Sequence, residues 1–162
     1  MASDYLLELD GIKGESSDSK HKGTIDIESF SWGVSQPASA TAGRGGSGGG
    51  KAVFQDIHFT TKLSSASPQL FLTCATGQHI KKAVLFVRKS GGDQQEYYKV
   101  TLEDLLVSSY EQSGGGGEDT APTDSFSLNF ARIELEYSPP RADGSTDAPV
   151  KAGYDISANK KV

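Results

Sequence analysis

The chain has 162 residues and a formal net charge of −5. That is long enough to enclose a hydrophobic core without metal or disulfide support, and the charge argues against nucleic-acid binding, which draws mostly on Lys and Arg. The single cysteine, Cys74, excludes an intramolecular disulfide and suits folding in a reducing compartment. The start Met1-Ala2-Ser3-Asp4 does not read as a signal peptide, and no run approaches the roughly 18 apolar residues of a membrane span.

Taken in order, the chain reads as strands punctuated by glycine. Tyr5, Leu7 and Leu9 alternate before Gly11, and a polar loop follows over residues 14–22. The run 24–35 changes its apolar face halfway: Ile25 and Ile27 share one parity, and Phe30, Trp32 and Val34 the other. A strand alternates sides with period two, so such a switch means either a bulge that rotates the strand or two halves buried against different things. The glycine-rich loop 36–51 comes next. Residues 53–63 then alternate, with Val53, Gln55, Ile57, Phe59, Thr61 and Leu63 on one face and Phe54, Asp56, His58 and Thr60 on the other.

One segment departs from strand character. Ser67-Pro68 supplies a helix N-cap followed by proline in the first turn, Leu70, Phe71 and Cys74 fall at helical spacing, and Gly77 is placed to end the helix. Cys74 therefore reads as a packing residue. Strands at 83–88 and 96–100 flank Ser90-Gly91-Gly92-Asp93, a hairpin signal. Strand character resumes at 105–110, and Gly114 to Gly117 form an excursion. The run 125–137 switches parity as well, from Phe126, Leu128 and Phe130 to Ile133, Leu135 and Tyr137. A last strand spans 150–156 before a short tail, 157–162. Many short strands with one helix predict a mainly β chain, a small barrel or sandwich of two curved antiparallel sheets with the helix packed against it.

Charge is uneven. Residues 100–131 hold six acids (Glu103, Asp104, Glu111, Glu118, Asp119, Asp124) and no base, while Lys81, Lys82, Arg88 and Lys89 cluster just upstream. The plain reading is two solvated faces; the sharper one is an acidic surface of one copy meeting a basic surface of the next.

Motifs for chemistry do not stand up. Residues 45–51 approximate a phosphate-binding GxxxxGK, but Ala52 replaces the hydroxyl that holds magnesium and a strand, not a helix, follows. Residues 45–49 fit GxSxG without the strained strand-to-helix turn that a nucleophile needs. His21, His58 and His79 have no metal-ligand spacing with Cys74 or with one another. The expectation is no catalytic residue, no metal and no cofactor.

Leu9-Asp10-Gly11-Ile12-Lys13-Gly14-Glu15-Ser16, Ser29-Phe30-Ser31-Trp32-Gly33 and the glycine-rich loop after them resemble the haemolysin-coregulated protein (Hcp) family of type VI secretion. The similarity continues through Cys74-Ala75-Thr76-Gly77-Gln78-His79, Leu106-Val107-Ser108-Ser109, residues 114–119 and Leu128-Asn129-Phe130-Ala131. It covers nearly the whole chain, as a single tube domain over 1–162. What it implies is a phage tail-tube-like barrel, a hexameric ring and stacked rings. The implied partners are a contracting sheath and baseplate, a VgrG spike and effector proteins in the bore, with no nucleic acid and no membrane insertion. The resemblance also implies assembly in the bacterial cytoplasm, then export to the extracellular space or a target cell without a cleaved leader.

On that basis Phe30, Trp32 and Val34 are expected in the core. Ser29, Ser31, Ser127 and Asn129 are then expected on the opposite face, lining the bore and meeting the effector. Ala42, Gly43, Arg44, Gly45, Gly46, Ser47, Gly48 and Gly49 are expected to contact the next ring. The alternatives are a monomeric β-sandwich module for a glycan or peptide, which would hold out an aromatic platform, and a hydrolase built on a serine pattern.

Overall fold

In the computed structural model, residues 3–37, 51–90, 95–117 and 121–162 are described. The strands are β1 (Ser3–Leu9), β2 (Ile25–Ile27), β3 (Ser29–Ser31), β4 (Val34–Ser35), β5 (Val53–Phe54), β6 (Ile57–Lys62), β7 (His79–Lys89), β8 (Glu96–Ser113), β9 (Thr123–Tyr137), β10 (Val150–Asp155) and β11 (Lys160–Lys161). One helix, α1 (Ser67–Thr76), lies between β6 and β7. The main sheet runs β11-β10-β9-β8-β7-β1-β2, and β6 bonds both β9 and β3. Because β2 leads straight into β3, the sheet curls until its ends meet, and all its pairings are antiparallel. The expected barrel is thus one sheet closed on itself, with β4 and β5 as a separate ribbon.

The two parity switches have different physical origins. The run 24–35 breaks at Glu28: β2 pairs with β1, whereas β3 pairs with β6. Its halves serve different neighbours. In β9 the strand is continuous, and the switch is shared by three strands at one level. Buried positions step by three from Ile80 to Ala83 on β7, from Leu102 to Leu105 on β8 and from Phe130 to Ile133 on β9. The register stays intact across the step, with Lys82 opposite Glu103 and Glu103 opposite Arg132. Asp104 takes the left-handed conformation there, at φ 51°. Two successive outward residues on each strand bend the sheet, and both halves return to the same core. The bend also makes 96–113 one strand, where the sequence suggested two.

The helix differs from its sequence reading at the start. Ala66 stands at the N-cap, with no side-chain cap, and Pro68 lies in the first turn. Ser67 instead donates its hydroxyl to the Asp124 carboxylate and accepts the Ser64 N–H at 3.0 Å. Asp124 is fully buried and also receives Tyr110 Oη at 3.0 Å and Gln112 Nε2 at 3.2 Å. An acid read as part of a charged surface is therefore an internal anchor for α1. Gly77 ends the helix as expected, at φ 65°. Leu70 and Thr73 face inward, while Phe71 is exposed.

Three further expectations are corrected. Val34 is 52% exposed, on the two-residue strand β4 that pairs with β5 in a ribbon separate from the main sheet. Residues 53–63 are not one strand: the run breaks at Gln55 and Asp56, which leaves the exposed Val53 in β5, and β6 ends at Lys62, which leaves Leu63 exposed beyond the buried face of Ile57, Phe59 and Thr61. The tail contains β11, which pairs with β10.

Candidate functional site

The barrel presents one polar outer face, built by β3, β6, β9 and β8. Its rows follow from register. Phe30, Phe59, Phe126 and Tyr110 lie in one cross-strand row and pack with the core. The flanking rows are Ser31, His58, Ser127 and Ser109, and Ser29, Thr60, Ser125 and Glu111. Period-two alternation sends these side chains away from the aromatic row. Ser29, Ser31, Ser127 and Asn129 are thereby brought onto one face.

They are not equally presented. Ser29, Ser31 and Asn129 are exposed, but Ser127 is only 2% exposed. A bulge in β8 between Val107 and Ser109 sets two consecutive serines over it. Ser108 Oγ lies 2.7 Å from Ser127 Oγ, and Ser109 Oγ 2.5 Å from it. Ser127 thus supports the face from beneath, a correction to its expected place on the surface. Ser29 Oγ and Thr60 Oγ1 are 2.5 Å apart.

Asp56 ties the surface together. Its carboxylate accepts Ser108 Oγ at 2.6 Å through one oxygen and Asn129 Nδ2 at 2.8 Å through the other. The exposed His58 stands between Ser31 and Ser127. Asp56 and His58 were visible in the sequence only as polar positions on the second face of the 53–63 run. Nothing local signalled that Asp56 meets Ser108, 52 residues away. The surface can form many hydrogen bonds through short side chains.

Residues 42–49 lie outside the described residues. Their stem is described: Val34 pairs with Phe54, Ser35 with Val53, and Gln55 N donates to Gly33 O at 2.9 Å. The Phe54 ring stacks on Tyr154 at 5.5 Å and meets Phe130 edge-on at 6.3 Å, which roots the loop on the barrel. Trp32 packs against the core instead of forming an open platform. Among the described residues no cluster of His, Cys, Asp or Glu is arranged to hold a metal ion, and no helix is long and apolar enough to cross a membrane.

The basic cluster read from the sequence is also partly internal. Arg88 is 5% exposed; it bonds Asp18 Oδ1 through Nη2 at 2.7 Å and Asp4 Oδ2 through Nε at 3.4 Å. The guanidinium bond, supported by the N–H groups of Lys20 and His21, holds the Asp18 carboxyl down to about 2.

Comparison with known proteins gives consistent results. The family described as "Type VI secretion system effector, Hcp" matches residues 6–137. Over 161 residues the chain is 43% identical to "Protein hcp1" of Pseudomonas aeruginosa, covering 98% of each. The solved structure of Hcp1 from Salmonella typhimurium superposes with a TM-score of 0.82 at 37% identity, covering 100% of both chains. A structure described as a type six secretion system protein gives 0.92 at 28% identity, covering 99% of this chain and 100% of its own.

Proposed function

The chain belongs to the Hcp family and is a tube subunit of type VI secretion, and from this we propose that six copies close into a ring whose bore is the face of β3, β6, β9 and β8. Rings stack into a tube that a contracting sheath on its baseplate drives outward behind a VgrG spike, with an effector protein in the bore. The tube is built in the cytoplasm and leaves with its cargo. Residues 1–162 act as one tube domain.

The observation that carries the bore assignment is the register of four strands, which gathers Ser29, Ser31, His58, Thr60 and Asn129 on one side of a continuous aromatic row. Short polar side chains keep a channel wide and hydrated while offering hydrogen bonds to a passenger. Residues 42–49 reach the next ring from the rooted stem of β4 and β5. Ordering a glycine-rich segment costs about 1 to 2 kcal/mol per residue, so stacking is weak outside the apparatus.

Light scattering on the purified chain, with electron microscopy down the particle axis, tests the ring: annular hexamers are expected, and a monomer at high concentration overturns the proposal. Deletion of residues 42–49 tests stacking. Rings should persist and secretion should fail; unimpaired secretion removes the loop from the contact between rings.

A further inference from the structure

The polar face of β3, β6, β9 and β8 has a direction built into its hydrogen bonds. As a carboxylate Asp56 only accepts, so the Ser108 hydroxyl gives its single proton to Asp56 Oδ2 at 2.6 Å. Ser108 then has only lone pairs left for Ser127, 2.7 Å away, and Ser127 is the donor in that contact. The proton of Ser127 is thereby committed, so Ser109, 2.5 Å from it, must donate in turn. The chain runs one way, from Ser109 through Ser127 and Ser108 to Asp56, and its hydroxyl protons are all turned into the network. Asn129 adds an N–H to the other Asp56 oxygen at 2.8 Å, which leaves its amide oxygen as a further acceptor. What Ser108, Ser109 and Asp56 offer an occupant is lone pairs.

Charge has the same sense. Glu111 is exposed on the same face, two positions beyond Ser109 on β8, and makes no ion pair among the described residues. Lys62, in line with His58 and Thr60 on β6, has its ammonium group 3.8 Å from Glu28 Oε2 and donates to Thr123 Oγ1 at 3.3 Å. Asp56, Glu111 and Glu28 thus stand against this one lysine, an excess of two negative charges in each copy among the described residues. Copies arranged around a bore repeat that excess along one channel, whose walls concentrate the field. A passenger that complements the face must bring proton donors and positive charge together. Arginine does both, since its guanidinium has only donors, in a planar fork, and a permanent charge; the lysine ammonium does the same as a point charge.

We infer that the effector protein carried in the bore meets this face through arginine and lysine side chains, a guanidinium sitting over the lone pairs of Ser109, Ser108 and Asp56 with Glu111 in the next row. The inference rests on the bore reading and names the surface chemistry of the passenger.

Labelled oligo-arginine and oligo-glutamate peptides of equal length test it, by fluorescence anisotropy on purified rings at low salt. The arginine peptide should bind about tenfold tighter, and added salt should erase the difference. Asp56→Asn together with Glu111→Gln should weaken binding of the arginine peptide about tenfold. Glu8→Gln together with Asp10→Asn, an equal loss of charge on β1 and the turn after it, should leave that binding unchanged. Circular dichroism and light scattering verify that each variant folds and forms rings; should Asp56→Asn fail either check, Glu111→Gln alone decides by its own loss of binding. Equal binding of the two peptides, or equal losses from the two pairs of substitutions, overturns the passenger chemistry and leaves the ring reading standing. An unaltered chain that stays monomeric at high concentration overturns both.

Discussion

Two outer faces of the same barrel are treated in opposite ways. On β1 and β7 the outward side chains include Leu6 and Val84, only 3% and 7% exposed although Leu7 and Leu85 already fill the inside. The chain covers this face with its own polar loop between β1 and β2. His21 stacks on Phe86 at 4.2 Å and contacts the Glu96 carboxylate, and Asp18 bonds Arg88. On β3, β6, β9 and β8 the outward side chains are mostly serine, threonine, histidine and asparagine, with Glu111 at the end of one row, and no loop covers them among the described residues. The contrast shows that strands with two apolar faces need not await a partner, since the chain can supply the cover itself. The outward face of small polar residues is the one that the chain itself leaves uncovered among the described residues.

The sharpest break of this comparison is at Gly14. Its N–H donates to Gly23 O at 2.8 Å, and a Cβ there would stand 2.4 Å from Thr24 O, which is backbone and cannot swing aside. Gly14→Ala should push the covering loop off Leu6 and Val84, costing about 3 kcal/mol, read as a lower urea midpoint with an unchanged barrel spectrum. The neighbouring residues hold the loop in other ways. Glu15 Oε1 accepts the Ser65 N–H at 3.0 Å, and the buried Ser16 donates its N–H to Thr24 O at 3.1 Å. The run Lys13-Gly14-Glu15-Ser16 is thus a closure motif and not a site.

Acid separates the two faces next. Asp18 titrates lower in the folded chain than in the unfolded one, so its contribution is complete above the ordinary carboxylate range and is lost as pH falls toward about 2. Asp26, raised mainly by burial, has the opposite sign and relaxes on protonation, which offsets part of the loss. Amide exchange in residues 14–22 should therefore rise as pH drops below 4, after correction for intrinsic rates, while exchange in β6 changes little. Asp18→Asn should remove the acid dependence. An unchanged profile in that variant would detach the loop's acid response from the bond to Arg88.

The sequence made the barrel legible because alternation survives in β1, β6 and β9, and Gly77 marks the end of α1. It also showed both parity switches, but it did not decide between their two origins. A single strand cannot reveal that Ile80, Leu102 and Phe130 step together, since the shared bend exists only once three strands are in register. The same limit explains the misplaced residues. Ser127 is buried by a bulge on another strand, Ser67 is drawn from its capping role by Asp124, 57 residues away, and Arg88 faces a cavity whose acids come from β1, β2 and a loop. Composition marks such residues as polar, and only topology decides whether they are surface or support.

On the open face, Asp56→Asn should have a moderate effect. The substitution keeps shape but replaces one acceptor oxygen by a donor, so either Ser108 or Asn129 must reorient. A loss of about 1 kcal/mol is expected, with reduced passenger retention because the surface supported by Asp56 loosens. Retention unchanged in assembled rings would show that Asp56 is only structural.

The smallest stability effect and the clearest functional one should coincide at Ser31. This exposed residue lies opposite His58 on the outermost strand of the polar face, and its side chain makes no core contact. Ser31→Gln should alter stability by less than about 0.5 kcal/mol, yet six copies would crowd a common channel with six longer side chains. Rings should form normally and lose the effector that co-purifies with the unaltered chain. Equal recovery of effector would place cargo recognition elsewhere, and a large drop in stability would mean that this face, like that of β1 and β7, is part of the packing after all.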